Sequence, residues 1–227
     1  MGDGRVMDMN ANAIGRRALL LAAAGFAARP ALAALPVPPG NTLAFRLIRH
    51  GGEIGRHTLT FESEGDTLTV RVAVDVVVTV FSIPVVRYTH RAVETWQDGT
   101  LSGLTGETDK NGDRQWVTAA RTAEGLAVRG SRTGPYIAPE PAVATSYWNR
   151  RMVDGPMISL EDGVLLLPRI ELHPAETVRL ACGDSIAADH YNLSGAFDID
   201  VWYDQTSTWA SLAFDVADGS HVHYERL

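Results

Sequence analysis

The sequence predicts an all-β protein, a mainly antiparallel meander bent into a half-barrel or open barrel. Three observations carry that prediction. Hydrophobic residues recur with a period of two along most of the chain. Turn dipeptides such as Gly51-Gly52, Asp98-Gly99 and Asp218-Gly219 separate the alternating stretches. Those stretches follow one another at spacings of roughly 8–12 residues, an all-β signature.

Residues 1–33 stand apart from this pattern. Arg16-Arg17 precedes an alanine- and leucine-rich run, which ends at Arg29-Pro30 and Ala31-Leu32-Ala33. A charged start, a short apolar stretch and small residues define a cleavable export signal, with the cut between Ala33 and Ala34. The paired arginines point to the twin-arginine route, so the export machinery is the first expected partner and the periplasm, or secretion, the destination. At about 11 residues the apolar run is too short to span a bilayer permanently. Residues 34–41, rich in proline, read as a linker, and 42–227 as one β domain.

Charge narrows the function classes. The formal net charge is −7; residues 1–33 hold four arginines against two aspartates, a balance of +2, so the remainder carries −9. An acidic domain of this kind repels phosphate backbones, which argues against nucleic acid as a partner. Cys182 is the sole cysteine, so there is no internal disulfide. It follows Val178 and Leu180 in alternation and reads as a small buried hydrophobe.

The strands follow in order. Leu43, Phe45 and Leu47 share one face of the first, and His57, Leu59 and Phe61 one face of the second. From 67 to 80 the alternation is strict: Leu68, Val70, Val72, Val74, Val76, Val78 and Val80 on one side, Thr67, Thr69, Arg71, Asp75 and Thr79 on the other. Pro84 interrupts the pattern. Strands are then expected over 86–97, 100–108, 114–122 and 126–132. Residues 133–162, with Pro135, Pro139 and Pro141, read as a loop carrying one short helix near 142–153, because Val143, Tyr147, Trp148 and Met152 recur at helical spacing. Strands resume over 164–172, 176–182, 185–194, 196–203, 210–216 and 220–226. Phe197, Ile199, Val201 and Tyr203 point inward; Asp198, Asp200 and Trp202 point outward.

Several stretches resemble an exported bacterial family, domain of unknown function 6134: 51–57 (GGEIGRH), 88–96 (YTHRAVETW), 146–149 (SYWN), 202–204 (WYD) and Tyr224-Glu225. They span nearly all of 42–227. More loosely, the opening and closing units look like lipoprotein-carrier-like curved sheets. The resemblance implies a β fold and an envelope location, and supplies no activity.

The candidate site residues are few. Tyr88, His90, Glu94 and Trp96 alternate on one strand face, mixing aromatics with one base and one acid, as a polar binding patch or an acid/base pair would. A satisfied polar cluster is the plainer reading. Tyr147, Trp148 and Asn149 read as a plug filling a curved sheet or as the gate of an apolar cavity. Trp202 is a candidate for partner contact. His221 and His223 share a strand face, but a metal site needs a third ligand, and neither His190 nor a carboxylate stands at a telling spacing. Asp198, Asp200 and Asp204 lie on a regular strand, not on a calcium-type loop. Ser146 lacks the glycine elbow of a serine nucleophile, and no phosphate loop, dinucleotide fingerprint or metalloprotease motif is present. No metal and no cofactor is expected. The readings rank as a binding or carrier module for an apolar or amphiphilic small molecule, then an envelope interaction protein, then a hydrolase-type enzyme.

Overall fold

A computed structural model of the chain describes residues 35–81, 83–195 and 197–227, with the side chain of Val80 excepted. The expected export signal, with Arg16, Arg17, Ala33 and Ala34, lies outside the described residues.

Each alternating stretch forms a strand because its apolar side is buried and its polar side is wet. The first eight are β1 (Thr42–Arg49), β2 (Gly52–Glu64), β3 (Thr67–Val80), β4 (Ile83–Gln97), β5 (Thr100–Lys110), β6 (Asp113–Thr122), β7 (Gly125–Gly130) and β8 (Thr133–Ala138). Four strands follow: β9 (Val143–Ala144), β10 (Met157–Ile158) and β11 (Leu165–Leu166) have two residues each, and β12 (Arg169–Arg179) is long. The last are β13 (Ser185–Ser194), β14 (Ile199–Asp204), β15 (Trp209–Asp215) and β16 (His221–Arg226).

Among the described residues, thirteen of these strands make one antiparallel sheet in the order β12-β13-β14-β15-β16-β1-β2-β3-β4-β5-β6-β7-β8. The two ends of the chain meet in its middle, where β1 pairs with β16. The sheet does not close, because β8 and β12 remain as its edges. Both edges carry proline, Pro135 on β8 and Pro174 on β12, which is where a residue without an N–H is tolerated.

The segment between those edges, residues 139–168, folds back over the concave face. It contains a small sheet, with β9 and β10 parallel and β10 and β11 antiparallel. Its side chains Trp148, Met152, Met157 and Ile158 are fully buried in the same core as Phe45, Leu59, Val70 and Tyr203. Glycines let it lie close. A Cβ on Gly106 would sit 2.4 Å from the Leu160 carbonyl oxygen, and one on Gly130 only 1.9 Å from that of Asp162. Only hydrogen side chains permit that approach of backbone to sheet.

Four expectations need correction. No α-helix forms at 142–153; β9, a left-handed Tyr147 (φ 64°) and a 3-10 turn at Arg150–Asp154 stand there. The thirteen residues between Pro141 and Gly155 are too few to sustain a helix on their own, and pairing of Val143–Ala144 with β10 wins. Residues 133–138 are an edge strand, not loop. The expected strands 164–172 and 176–182 are mainly one strand, β12, with a register shift between His173 and Glu176. Cys182 is exposed, because β12 ends at Arg179 and the cysteine sits in the following turn.

Candidate functional site

The concave face is built in rows, since residues paired across neighbouring strands point the same way. One row runs Phe45, His57, Val74, His90, Thr108 from β1 to β5. A second runs Leu59, Val72, Ala92, Gly106, Val117, Gly130, and the plug's Leu160 and Asp162 carbonyls rest on its two glycines. A third runs Phe61, Val70, Glu94, Leu104, Ala119, Val128, Tyr136. Three ionisable side chains, His57, His90 and Glu94, therefore stand among apolar neighbours, all buried.

Glu94 is held by aromatics. Its Oε2 accepts the indole N–H of Trp96 at 2.8 Å and of Trp148 at 3.0 Å. The rings of Trp148 and Trp96 meet edge to face at 5.5 Å, and Phe61 closes on Trp148 at 5.2 Å. Oε1 has no partner of hydrogen-bond geometry, with the Ser146 hydroxyl as a looser neighbour. Burial pushes the carboxyl above its usual range, and the Ser146, Trp148 and Trp96 donors draw it part of the way back.

The histidines are less well served. His90 Nδ1 lies 2.8 Å from the Thr108 hydroxyl, and its Nε2 has no partner. Neither nitrogen of His57 has one. Its ring is boxed by Trp209 at 5.1 Å and Tyr224 at 5.8 Å, both edge-on, and by Phe45 at 6.4 Å. An imidazole edge against a ring face is a weak substitute for a hydrogen bond. Burial lowers both histidines, His57 to about 3 and His90 to about 4. Charge repulsion adds to this, from Arg91 for His90 and, where both rings are protonated, from His90 for His57. Both rings are thus neutral at pH 7, each with one N–H and one lone pair.

A tyrosine layer continues the site. Tyr88 donates to Glu161 Oε1 of the plug at 2.7 Å, and Tyr203 to the Tyr147 carbonyl at 2.8 Å. Burial and then the nearby Glu161 carboxylate raise the Tyr88 and Tyr147 hydroxyls above the ordinary range, and burial, then Tyr147, then Glu161 raise that of Tyr224. Asn149 caps the 3-10 turn by accepting from the Arg151 N–H at 3.1 Å. Arg151 lies over the Trp96 ring at 5.6 Å and bonds the Gly99 carbonyl at 2.9 Å.

The structure therefore brings Tyr88, His90, Glu94, Trp96, Tyr147, Trp148 and Asn149 to one interior and separates them from Trp202. That indole faces outward but is half-buried, stacked on His190 at 4.5 Å and donating to Glu176 at 3.2 Å. His90 and Glu94 do not form an acid/base pair: four strand residues apart, they are separated by roughly 13 Å and face different partners. His221 pairs with Asp215 and His223 lies near Glu225, while His190 bonds Glu176 at 3.0 Å and Asp200 at 2.7 Å, so the three histidines do not converge on one site. Sequence reading had placed His57 on an apolar face without singling it out. Its alternation with Leu59 and Phe61 on one strand face is the available signal. Glu161 carried none.

Comparison with known proteins supports the architecture. No curated protein matches the chain. Among solved structures it is similar to a β-barrel-like protein of domain of unknown function DUF1849 from Brucella abortus, at 9% identity and a TM-score of 0.51, covering 82% of this chain and 94% of that one. That likeness is one of fold. No helix among the described residues is long and apolar enough to cross a membrane. The family model for a domain of unknown function, DUF6134, matches residues 45–227, and the chain belongs to that family.

Proposed function

We propose that this protein is exported through the twin-arginine route, cut after Ala33, and in the envelope binds an amphiphilic small molecule against the concave face of its sheet. The observation that supports this reading is the set of unpaired nitrogens on His57 and His90 inside an apolar core. A buried polar group without a partner costs about 1–3 kcal/mol. Two such groups in one row of the sheet, with only Val74 between them, are a standing cost that a ligand's polar head relieves. The apolar body of the ligand takes the place of the plug's aromatics, so residues 145–154 act as the gate.

The histidines also select the head group. A neutral imidazole offers one donor and one acceptor. Its complement is an uncharged group with both, a hydroxyl or an amide. An anion is disfavoured, because burial in this same core already holds the Glu94 carboxyl against carrying charge. The expected ligand is therefore closer to a monoacylglycerol than to a fatty-acid anion.

The experiment is displacement of N-phenyl-1-naphthylamine from residues 34–227, with monoolein and oleate as competitors. Monoolein is expected to displace the probe and oleate to do so at least about tenfold more weakly, since one unsatisfied buried polar contact is worth roughly that factor. The double variant His57→Leu/His90→Leu is expected to stay folded and lose the preference. No probe uptake by the folded protein, or equal competition by both lipids, overturns the proposal.

A further inference from the structure

We infer that the β3–β4 hairpin tip is a membrane-docking finger that inserts into the headgroup–acyl boundary of a lipid bilayer.

The sheet pairings isolate the tip. β2 pairs with β3 only up to Gly55–Val76, and β4 pairs with β5 only from Tyr88–Lys110. Residues 77–81 and 83–86 thus form a two-stranded ribbon with no sheet neighbour on either side among the described residues. From Val76 to Val86 no residue is charged; six of the eleven are valines, with Phe81, Ile83 and Pro84 among the rest. Phe81 is 96% exposed and Ile83 66%, with Val85 and Val77 exposed beside them. Phe81 moreover holds φ at 49°. An aromatic side chain in the left-handed region costs conformational energy, and this one gains no packing in return. Its chemistry suits a surface met from outside.

Three features favour a bilayer over a protein occupant. The exposed apolar residues fall on both faces of the ribbon and at its end, whereas a protein groove covers one face. Strand addition is obstructed, because a register shift lies between Val78 and Thr79 and Pro84 lacks an N–H. Thirdly, two cations stand at the ribbon's base without an ion-pair partner among the described residues: Arg87 on the outer face and Lys110, paired with Tyr88, on the other. The Asn111 side chain accepts from the Arg87 backbone N–H at 2.8 Å and fixes that base. Arg87 lies about 13 Å along the strand from Ile83, so both cations reach lipid phosphates while Phe81 and Ile83 lie below them. The unpaired backbone edges keep the finger from going deeper, since bare N–H and C=O groups are not tolerated in the hydrocarbon core. The finger anchors at the surface and does not span.

The test is co-sedimentation of residues 34–227, which contain every strand of the sheet, with sucrose-loaded phosphatidylcholine vesicles. The wild-type protein is expected to partition onto them, and Phe81→Asp/Ile83→Asp to lose at least about tenfold in partitioning, the scale of removing one buried large apolar side chain. Arg87→Gln/Lys110→Gln is expected to lose severalfold. Phe81→Trp is expected to show a blue-shifted emission on vesicle addition and quenching by brominated lipid. These substitutions lie in solvent, so an unchanged thermal melt checks the fold. His57→Leu/His90→Leu is expected to bind vesicles as wild type does, which separates this inference from the ligand proposal. Absence of wild-type partitioning, equal partitioning by Phe81→Asp/Ile83→Asp, or a tip-dependent dimer that ignores vesicles overturns the inference.

Discussion

The indole of Trp148 reaches across the interior from the plug to donate a 3.0 Å hydrogen bond to Glu94 on β4, residues 54 positions apart in the chain. That bond ties the segment between the sheet edges to the sheet's centre. Trp148 is fully buried against Phe61 and Trp96. Trp148→Ala is expected to cost about 3–5 kcal/mol, the range for emptying a large aromatic site. Trp148→Phe keeps most of the packing and loses the donor, for about 1–2 kcal/mol. Urea denaturation of both variants measures the difference.

Glu94 makes the fold sensitive to alkali. Burial raises its folded pKa above the ordinary value of 4.5. Below about pH 4.5 the group is neutral folded and unfolded alike. As pH rises further the unfolded chain releases the proton while the folded chain keeps it, so stability falls until the folded pKa is passed. Glu94→Gln removes that loss and keeps an acceptor for both indoles. Its advantage over wild type is expected to be small at pH 4.5 and to grow towards pH 8, as read from denaturation midpoints across pH.

His57 and His90 act in the opposite sense. Their folded pKa values are depressed to about 3 and about 4 from an ordinary 6.5. Below 6.5 the unfolded chain binds protons that the folded chain refuses, so stability declines with falling pH until about 4 for His90 and about 3 for His57. Each contributes a slope of about 1.4 kcal/mol per pH unit, so the pair contributes about 2.7. Between pH 4.5 and 6.5 the two histidines outweigh the single Glu94, and net stability rises with pH. His57→Leu is expected to halve the acid slope and to be neutral or stabilising at pH 7, because it also removes two unpaired buried nitrogens.

The plug rests on two hydrogen side chains. Gly106→Ala and Gly130→Ala would each drive a Cβ into the Leu160 or Asp162 carbonyl oxygen. Both variants are expected to destabilise by about 1–3 kcal/mol and to open residues 139–168 to limited proteolysis. Cleavage confined to that stretch, with the sheet intact, is the diagnostic pattern.

The antiparallel meander was legible in the sequence because a period of two leaves little choice when one face is buried, as along Val70, Val72 and Val74. The inward set Ile199, Val201 and Tyr203 was legible for the same reason. The segment after Ala138 was not. Helical spacing of Val143, Tyr147, Trp148 and Met152 arises there from a short strand and a 3-10 turn, shaped by contacts with distant strands that no local pattern encodes. Cys182 misled because alternation was extended past the end of β12. At the site, the polar alternation Tyr88, His90, Glu94, Trp96 was visible. Its convergence with His57 and Trp148 depends on strand pairing and on the plug's return.

Native mass spectrometry of the protein purified from the cells that produce it measures the central claim most directly. The account predicts the mass of residues 34–227 together with an adduct of lipid size, absent from His57→Leu/His90→Leu. A bare mass for the wild-type protein under gentle ionisation, or an adduct carried equally by the double variant, would contradict it.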